Sequence, residues 1–183
     1  MTILIVVGVV VVLILLWVMG TYNSLVVLRN KVRDQFSQID VQLKRRYDLI
    51  PNLVETVKGY AKHEKSTLEE VIKLRGSYGD AKTNEEKMKA ADSLSLGISK
   101  LIAVAEAYPD LKANDNFVKL QEDLKDTEDK ISYARQFYND TVLALNNKIE
   151  QFPSNVIANM FNFNKEPFFE AKAEERENVK VEF

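Results

Sequence analysis

The sequence predicts an all-α protein: an N-terminal transmembrane helix followed by an antiparallel up-and-down four-helix bundle with a short C-terminal aromatic segment. Three observations predict it. Residues 3–19, ILIVVGVVVVLILLWVM, form an apolar run without a charge. Beyond it, apolar residues return at steps of three and four over most of the chain, the period of one face of an α-helix. The 183 residues include only four Pro and six Gly while 28% are charged, which suits long helices better than sheet.

The apolar run comes first. At about 1.5 Å per residue, residues 3–19 span roughly 26 Å, and Gly20 and Thr21 extend this toward the ~30 Å hydrocarbon core of a bilayer. Trp17 and Tyr22 then fall where an interfacial aromatic belt would lie. A cleaved signal peptide is the competing reading. It needs a basic leading region, a shorter core and a small-x-small cleavage site, and none of these is present. The run is therefore expected to be a retained anchor over residues 1–21. Arg29, Lys31 and Arg33 follow it and no Lys or Arg precedes it. The positive-inside rule then puts the short N-terminus outside and the bundle in the cytoplasm, as a single-pass membrane protein. Arg29, Lys31 and Arg33 are also the candidates for lipid contact.

The first soluble helix carries Leu25, Leu28, Val32, Phe36, Ile39, Leu43, Tyr47, Ile50, Val54 and Val57 on one face. The anchor can run into it without a break; only Gly20 argues for a hinge. Pro51 is expected to end it, since proline disfavours α at the preceding residue and has no N–H to donate. Asp48 would then cap the second helix. The rival reading is a kink at Pro51 with the break near His63, where Ser66-Thr67-Leu68-Glu69 resembles a capping box. Gly76-Ser77-Tyr78-Gly79 is expected to close this arm.

Thr83-Asn84-Glu85-Glu86 forms a capping box that opens the third helix. Its buried face is expected at Met88, Ala91, Leu94, Ile98, Leu101, Ala105 and Tyr108, and Pro109-Asp110 should end it. Asp115 can cap the last helix. Its stripe is Phe117, Leu120, Leu124, Thr127, Ile131, Ala134, Tyr138, Val142, Leu145, Ile149 and Phe152, and Pro153 stops it. Short connections make neighbouring helices antiparallel, which returns the end of the fourth helix to the membrane side. Residues 22–169 are thus expected to form the bundle domain, and residues 170–183 a charged, mobile tail. The segment from Ser154 to Phe169 is rich in apolar residues. It either packs as a tail on the bundle or offers an interaction surface through Phe161, Phe163, Phe168 and Phe169.

Chemistry leaves little trace. Lys+Arg number 25 and Asp+Glu 27, a net charge of −2, with no clustered positive field of the kind nucleic acid requires. The absence of Cys excludes disulfides, thiolate metal sites and cysteine nucleophiles. No phosphate-binding glycine loop, zinc-protease or serine-hydrolase motif occurs. The one histidine, His63, reads as a surface or capping residue. Lys44-Arg45-Arg46 reads as a solvated face paired to Asp48, with an acidic partner or lipid as the alternative. The expectation is no enzyme, no catalytic or metal residues, no cofactor and no small-molecule substrate. Two functions fit. One is a membrane-anchored scaffold (of the bacterial envelope, on the family resemblance given next) that self-associates and organises or shapes membrane and partners. The other is a monomeric adaptor presenting its bundle to another membrane protein, such as a protease or sensor. Membrane lipid and a second copy of the chain are the expected partners, with another envelope protein as a further one.

The stretch YNSLVVLRNKVRDQFSQIDVQLKRRYDLIPNLVETVKGYAKHE, from Tyr22 to Glu64, resembles the LemA family of bacterial proteins, most specifically over Asp40 to Val54. AEAYPDLKAN (Ala105 to Asn114), RQFYN (Arg135 to Asn139) and FPSNVIA (Phe152 to Ala158) extend the likeness to about Phe169. Phe36 stands where that family would carry a tryptophan, and NFNKEPFFE is a loose version of its tail. The resemblance implies a single N-terminal anchor, a short exterior N-terminus and a helical bundle. It implies no reaction and transfers no catalytic residue.

Overall fold

A computed structural model describes residues 1–169. Every regular element among them is helical: α1 (Thr2–Tyr60), α2 (Lys65–Asp80), α3 (Asn84–Ala105), α4 (Pro109–Lys112), α5 (Asp115–Glu150) and α6 (Ser154–Met160). The all-α class expected from the periodicity is what the chain adopts. The charged tail expected at 170–183 lies outside the described residues.

Packing divides the chain into two units. One comprises Met1–Gln38 and Ala134–Phe168; the other comprises Ile39–Tyr133 together with Phe169.

The second unit packs the later part of α1 and the first part of α5 with α2, α3 and the short α4, and the directions of the long helices follow from their contacts. Arg45 of α1 meets Asp123 and Asp126 of α5, and Tyr60 meets Asn114, so α1 and α5 run antiparallel. Glu70 of α2 pairs with Lys100 of α3, while Leu74 approaches Gly97, so α2 and α3 are antiparallel as well. A Cβ at Gly97 would stand 2.7 Å from Leu74 Cδ1, which shows how closely these two helices pass. Asp40 bonds both Tyr78 at the end of α2 and Lys87 at the start of α3. The core combines Ile50, Leu53 and Val57 from α1, Leu68 and Val71 from α2, Leu94, Ile98 and Leu101 from α3, Leu111 from α4, and Phe117 and Leu124 from α5. Each such side chain taken fully from water stabilises by roughly 1.5–3 kcal/mol.

Several expected boundaries are corrected. Helix α1 does not break at Pro51; the proline lies inside it, and the chain turns only after Tyr60, at residues 61–64. Asp48 therefore caps nothing and instead pairs with Lys44 one turn earlier. Helix α2 starts at Lys65 with no side-chain cap, so the Ser66 capping box does not form, and it runs through Gly76-Ser77-Tyr78-Gly79 to Asp80. Tyr78 is buried there, and that packing holds the two glycines in helix. Helix α3 ends at Ala105, and Pro109 opens α4 at a position where a missing N–H costs nothing. Asn114, not Asp115, caps α5, its Oδ1 accepting from Phe117 N at 3.1 Å. The capping box at Thr83 forms as read, with Thr83 Oγ1 accepting from Glu86 N and Glu86 Oε2 accepting from Thr83 N.

In the first unit, α1 carries the apolar run through Gly20 without interruption and then packs on α5. The rings of Phe36 and Tyr138 meet at 5.9 Å, edge to face. Leu25, Val32, Val142, Leu145 and Ile149 are buried, as their stripes predict. Phe152 departs from its stripe: α5 has ended at Glu150, and the ring stands 82% exposed in the turn before α6.

Candidate functional site

Helix α6 ends in a tight reversal. Asn162 adopts φ 55°, the left-handed region that asparagine tolerates better than most residues. Phe163 N then donates to Ala158 O at 2.9 Å and Asn162 N to Asn159 O at 3.3 Å. These two bonds make a Schellman motif, which satisfies the last carbonyls of α6 and turns the chain back.

The reversal places Phe163 against α1. Its ring lies 5.9 Å from that of Tyr22, and Phe161 lies 4.7 Å from the same tyrosine. The Arg29 guanidinium sits 4.9 Å over Phe163, a cation–π contact. Beyond Phe163 the chain is fastened to α5. Asn146 Nδ2 donates to Glu166 O and Asn146 Oδ1 accepts from Glu166 N, both at 3.0 Å. Tyr138 OH donates to Pro167 O at 2.9 Å, and Lys165 pairs with Glu150. Residues 163–167 thus form a strap that closes over α1 and α5 where α1 leaves the apolar run. Burial, followed by the nearby charge of Glu166, pushes the Tyr138 hydroxyl up to about 12.

The expected membrane and interaction residues divide within this setting. Trp17 is exposed among the apolar run, and Tyr22 stands at its end against Phe161. Lys31 and Arg33 are exposed, whereas Arg29 turns toward Phe163. Phe163 and Phe169 face the protein's own interior; Phe161 and Phe168 remain about half exposed.

The basic run resolves residue by residue. Lys44 pairs with Asp48 as expected, and Arg45 reaches Asp123 and Asp126. Arg46 overturns the reading of a solvated face: it is 1% exposed. One terminal nitrogen donates to Ser95 Oγ at 2.6 Å and Glu128 Oε2 at 2.8 Å, the other to Ala91 O at 2.9 Å. The guanidinium fork is thus spent on α3 and α5, beside a cavity of about 270 Å³ that Ser99, Gln121, Lys125 and Asp129 also line. A charge triplet signals a surface, and only the phase of the stripe, which puts residue 46 three after Leu43 and four before Ile50, hints otherwise.

A second concavity of about 650 Å³ lies between the end of α1 and α2, lined by Val54, Leu68 and Ile72 together with Lys62 and the ion pairs Lys58–Glu55 and Lys65–Glu69. His63 is exposed in the intervening turn. Among the described residues no group of three or more His, Asp or Glu is placed to hold a metal ion.

The LemA family model matches residues 35–183. The chain is similar to Protein LemA of Metamycoplasma hominis, 26% identical over 164 residues, covering 87% of this chain and 74% of that protein. It is also similar to Magnetosome protein MamQ 2 of Paramagnetospirillum magneticum, 24% identical over 177 residues, with 82% of this chain and 65% of that protein covered. Magnetosome protein MamQ of Magnetospirillum gryphiswaldense is 23% identical over the same length and the same shares. The chain thus spans a little under two thirds of the MamQ relatives' length.

Proposed function

The chain belongs to the LemA family, and from that premise we propose that it is a membrane-anchored, non-enzymatic scaffold that self-associates and organises membrane and partners. What supports the anchor is that one helix carries a segment long and apolar enough to cross a bilayer, and none of that segment is buried against protein. Left in water, so much apolar surface would be strongly unfavourable; in hydrocarbon it is favourable.

The observation that carries the scaffold reading is the strap at the foot of α1. A flexible joint at Gly20 would let the folded part swing freely on its anchor. Instead α1 is unbroken through Gly20, and Tyr22 and Arg29 are gripped by Phe161 and Phe163. A span held at a fixed direction to its folded part can transmit the packing of neighbouring copies to the bilayer. Contacts for such packing are available on α5, where Tyr133 and Phe137, one helical turn apart, are 67% and 60% exposed. Neighbouring spans add van der Waals contact through their Val-rich faces. The bundle lies in the cytoplasm beneath a bacterial inner membrane, by the excess of Arg29, Lys31 and Arg33 after the span.

The test is the particle size of full-length protein extracted with its native lipid and imaged by electron microscopy. Large regular assemblies that fall apart in a Tyr133→Glu, Phe137→Glu variant support the scaffold. Uniform single-copy particles exclude it.

The second reading, a monomeric adaptor for another envelope protein, is favoured by the concavity between α1 and α2. Its apolar lining and its rim of both charge signs, with Glu55 and Glu69 beside the lysines, suit an amphipathic segment of a partner. A single-copy particle whose crosslinked partner is lost in a Lys62→Glu, Ile72→Glu variant supports that reading.

A further inference from the structure

Between Glu150 and Lys165 lie fourteen residues, QFPSNVIANMFNFN, with no Asp, Glu, Lys or Arg, in a chain that is 28% charged. They form the corner between α5 and α6. One side of α6 is buried through Ile157 and Ala158. The other presents Val156 and Met160, one turn apart, and Phe152 and Phe161, just before and just after the helix, are exposed as well, which makes the corner an apolar tip.

The height of this tip follows from the register within the first unit. Phe36 meets Tyr138 across the antiparallel α1–α5 pair. Moving along α5 from Tyr138 to Phe152 therefore moves back along α1 from Phe36 to Tyr22. The ring contact of Phe161 with Tyr22 at 4.7 Å confirms that level. Tyr22 stands three residues beyond Met19, about 4.5 Å past the end of the apolar run. The headgroup layer on each side of a bilayer is roughly 5–8 Å thick, so Tyr22 lies within it. The corner beside Tyr22 lies in the same layer.

We propose that the α5–α6 corner is a second membrane contact, in which Phe152, Val156, Met160 and Phe161 insert into the headgroup–acyl boundary of the bilayer that holds α1. The proposal rests on the anchorage of α1 stated above. The chemistry suits that boundary. Aromatic and aliphatic groups gain by leaving water there, the exposed Asn159, Asn162 and Asn164 remain among polar headgroups, the Ser154 hydroxyl is already bonded to Lys148 O and Gln151 O, and no charge must be desolvated. With the strap holding α1, two points of contact fix the tilt of the anchor, which a single span leaves to its neighbours.

The experiment uses the full chain in phosphatidylcholine vesicles, with lipids brominated near the carbonyl end of the acyl chains as quenchers. The natural Trp17 reports the span. A Trp17→Phe, Phe152→Trp variant reports the corner; its side chain is exposed, so the exchange leaves the fold intact. A Trp17→Phe, Phe137→Trp variant is the control, since Phe137 is exposed on α5 about 22 Å away along the helix. Quenched, blue-shifted emission at position 152 with unquenched emission at position 137 is the expected result. Quenching of Trp17 without quenching at 152 overturns the proposal while the anchor stands; a tip covered by a second copy gives this outcome. Quenching at both 152 and 137 overturns it too, because the whole of α5 would then lie on the membrane. Unquenched Trp17 overturns the anchorage and the proposal with it.

Discussion

Arg75 repairs the gap that Pro51 leaves in α1. In a regular helix the N–H of residue 51 would donate to the carbonyl of Tyr47, and proline has none to give. Arg75 Nε of α2 donates to Tyr47 O at 3.1 Å instead, and its guanidinium stacks 3.9 Å over the Tyr47 ring. A partly buried carbonyl left unsatisfied costs about 1–3 kcal/mol. Arg75→Met should therefore destabilise the full chain in denaturant titrations by about 2 kcal/mol, the stack contributing the smaller part. In a Pro51→Ala background an N–H is available locally, and the same exchange should cost about 1 kcal/mol less. An equal cost in both backgrounds would show that the hydrogen bond is not what Arg75 supplies.

Arg46 and Glu128 should behave as a unit. Removing one partner of a buried pair leaves the other uncompensated, which costs about 3–5 kcal/mol. Glu128 is one third exposed, so the lower end of that range applies. Arg46→Ala is expected to lose about 3 kcal/mol and to expose Ser95 and Ala91 O to an enlarged cavity. Arg46→Met with Glu128→Gln keeps the volume and removes both charges, and should recover most of that loss. Arg46→Lys should not, because an ammonium cannot span Ser95, Glu128 and Ala91 O as the fork does.

Alkaline titration should find two hydroxyls late. Burial and then the charge of Asp40 hold Tyr78 above the ordinary tyrosine value of 10.0. Burial and then Glu166 bring Tyr138 to about 12. Both folded values are raised, so the fold favours the neutral forms. Their contribution to stability is complete below pH 10 and is lost as pH rises toward 12. Tyrosinate absorbance should show these residues ionising only as helicity falls, and Tyr138→Phe should remove one ionisation from that late step. At the acid end, the Lys82 and Thr83 backbone N–H groups lower Glu86 below 4.5, so its contribution is lost as pH falls under that value.

The stripes made most of this architecture legible. The run at residues 3–19, the faces of α1, α3 and α5, and the Thr83 capping box each depend on residues within a few turns, and each is where the spacing puts it. What escaped depends on residues far apart. Pro51 stays in helix because Arg75, twenty-four positions on, donates to the carbonyl it orphans. Arg46 is buried because Ser95 and Glu128 await it, and local composition reads it as surface. Phe152 fits the α5 period and still leaves the core, since α5 stops two residues earlier. At the foot of α1 the aromatics were visible, yet nothing local separates Phe161, which is half exposed, from Phe163, which is buried. That distinction is made by one residue between them.

Asn162 is that residue, and its substitution offers the most selective handle on the strap. At φ 55° a β-branched side chain meets the backbone and costs about 1–2 kcal/mol, whereas glycine pays nothing for this conformation. Asn162→Val should therefore loosen the reversal that presents Phe163 to Tyr22 and Arg29, and Asn162→Gly should not. Because the strap is a small part of the structure, the effect should be local. Hydrogen exchange at the Phe163 and Glu166 amides, which bond Ala158 O and Asn146 Oδ1, should quicken in the valine variant, while amides in the core of α3 keep their protection. If the amides of α3 quicken equally, the strap is not a separate unit but part of one cooperative fold. If the glycine variant loosens as much as the valine variant, the asparagine side chain, rather than its backbone angle, holds the turn.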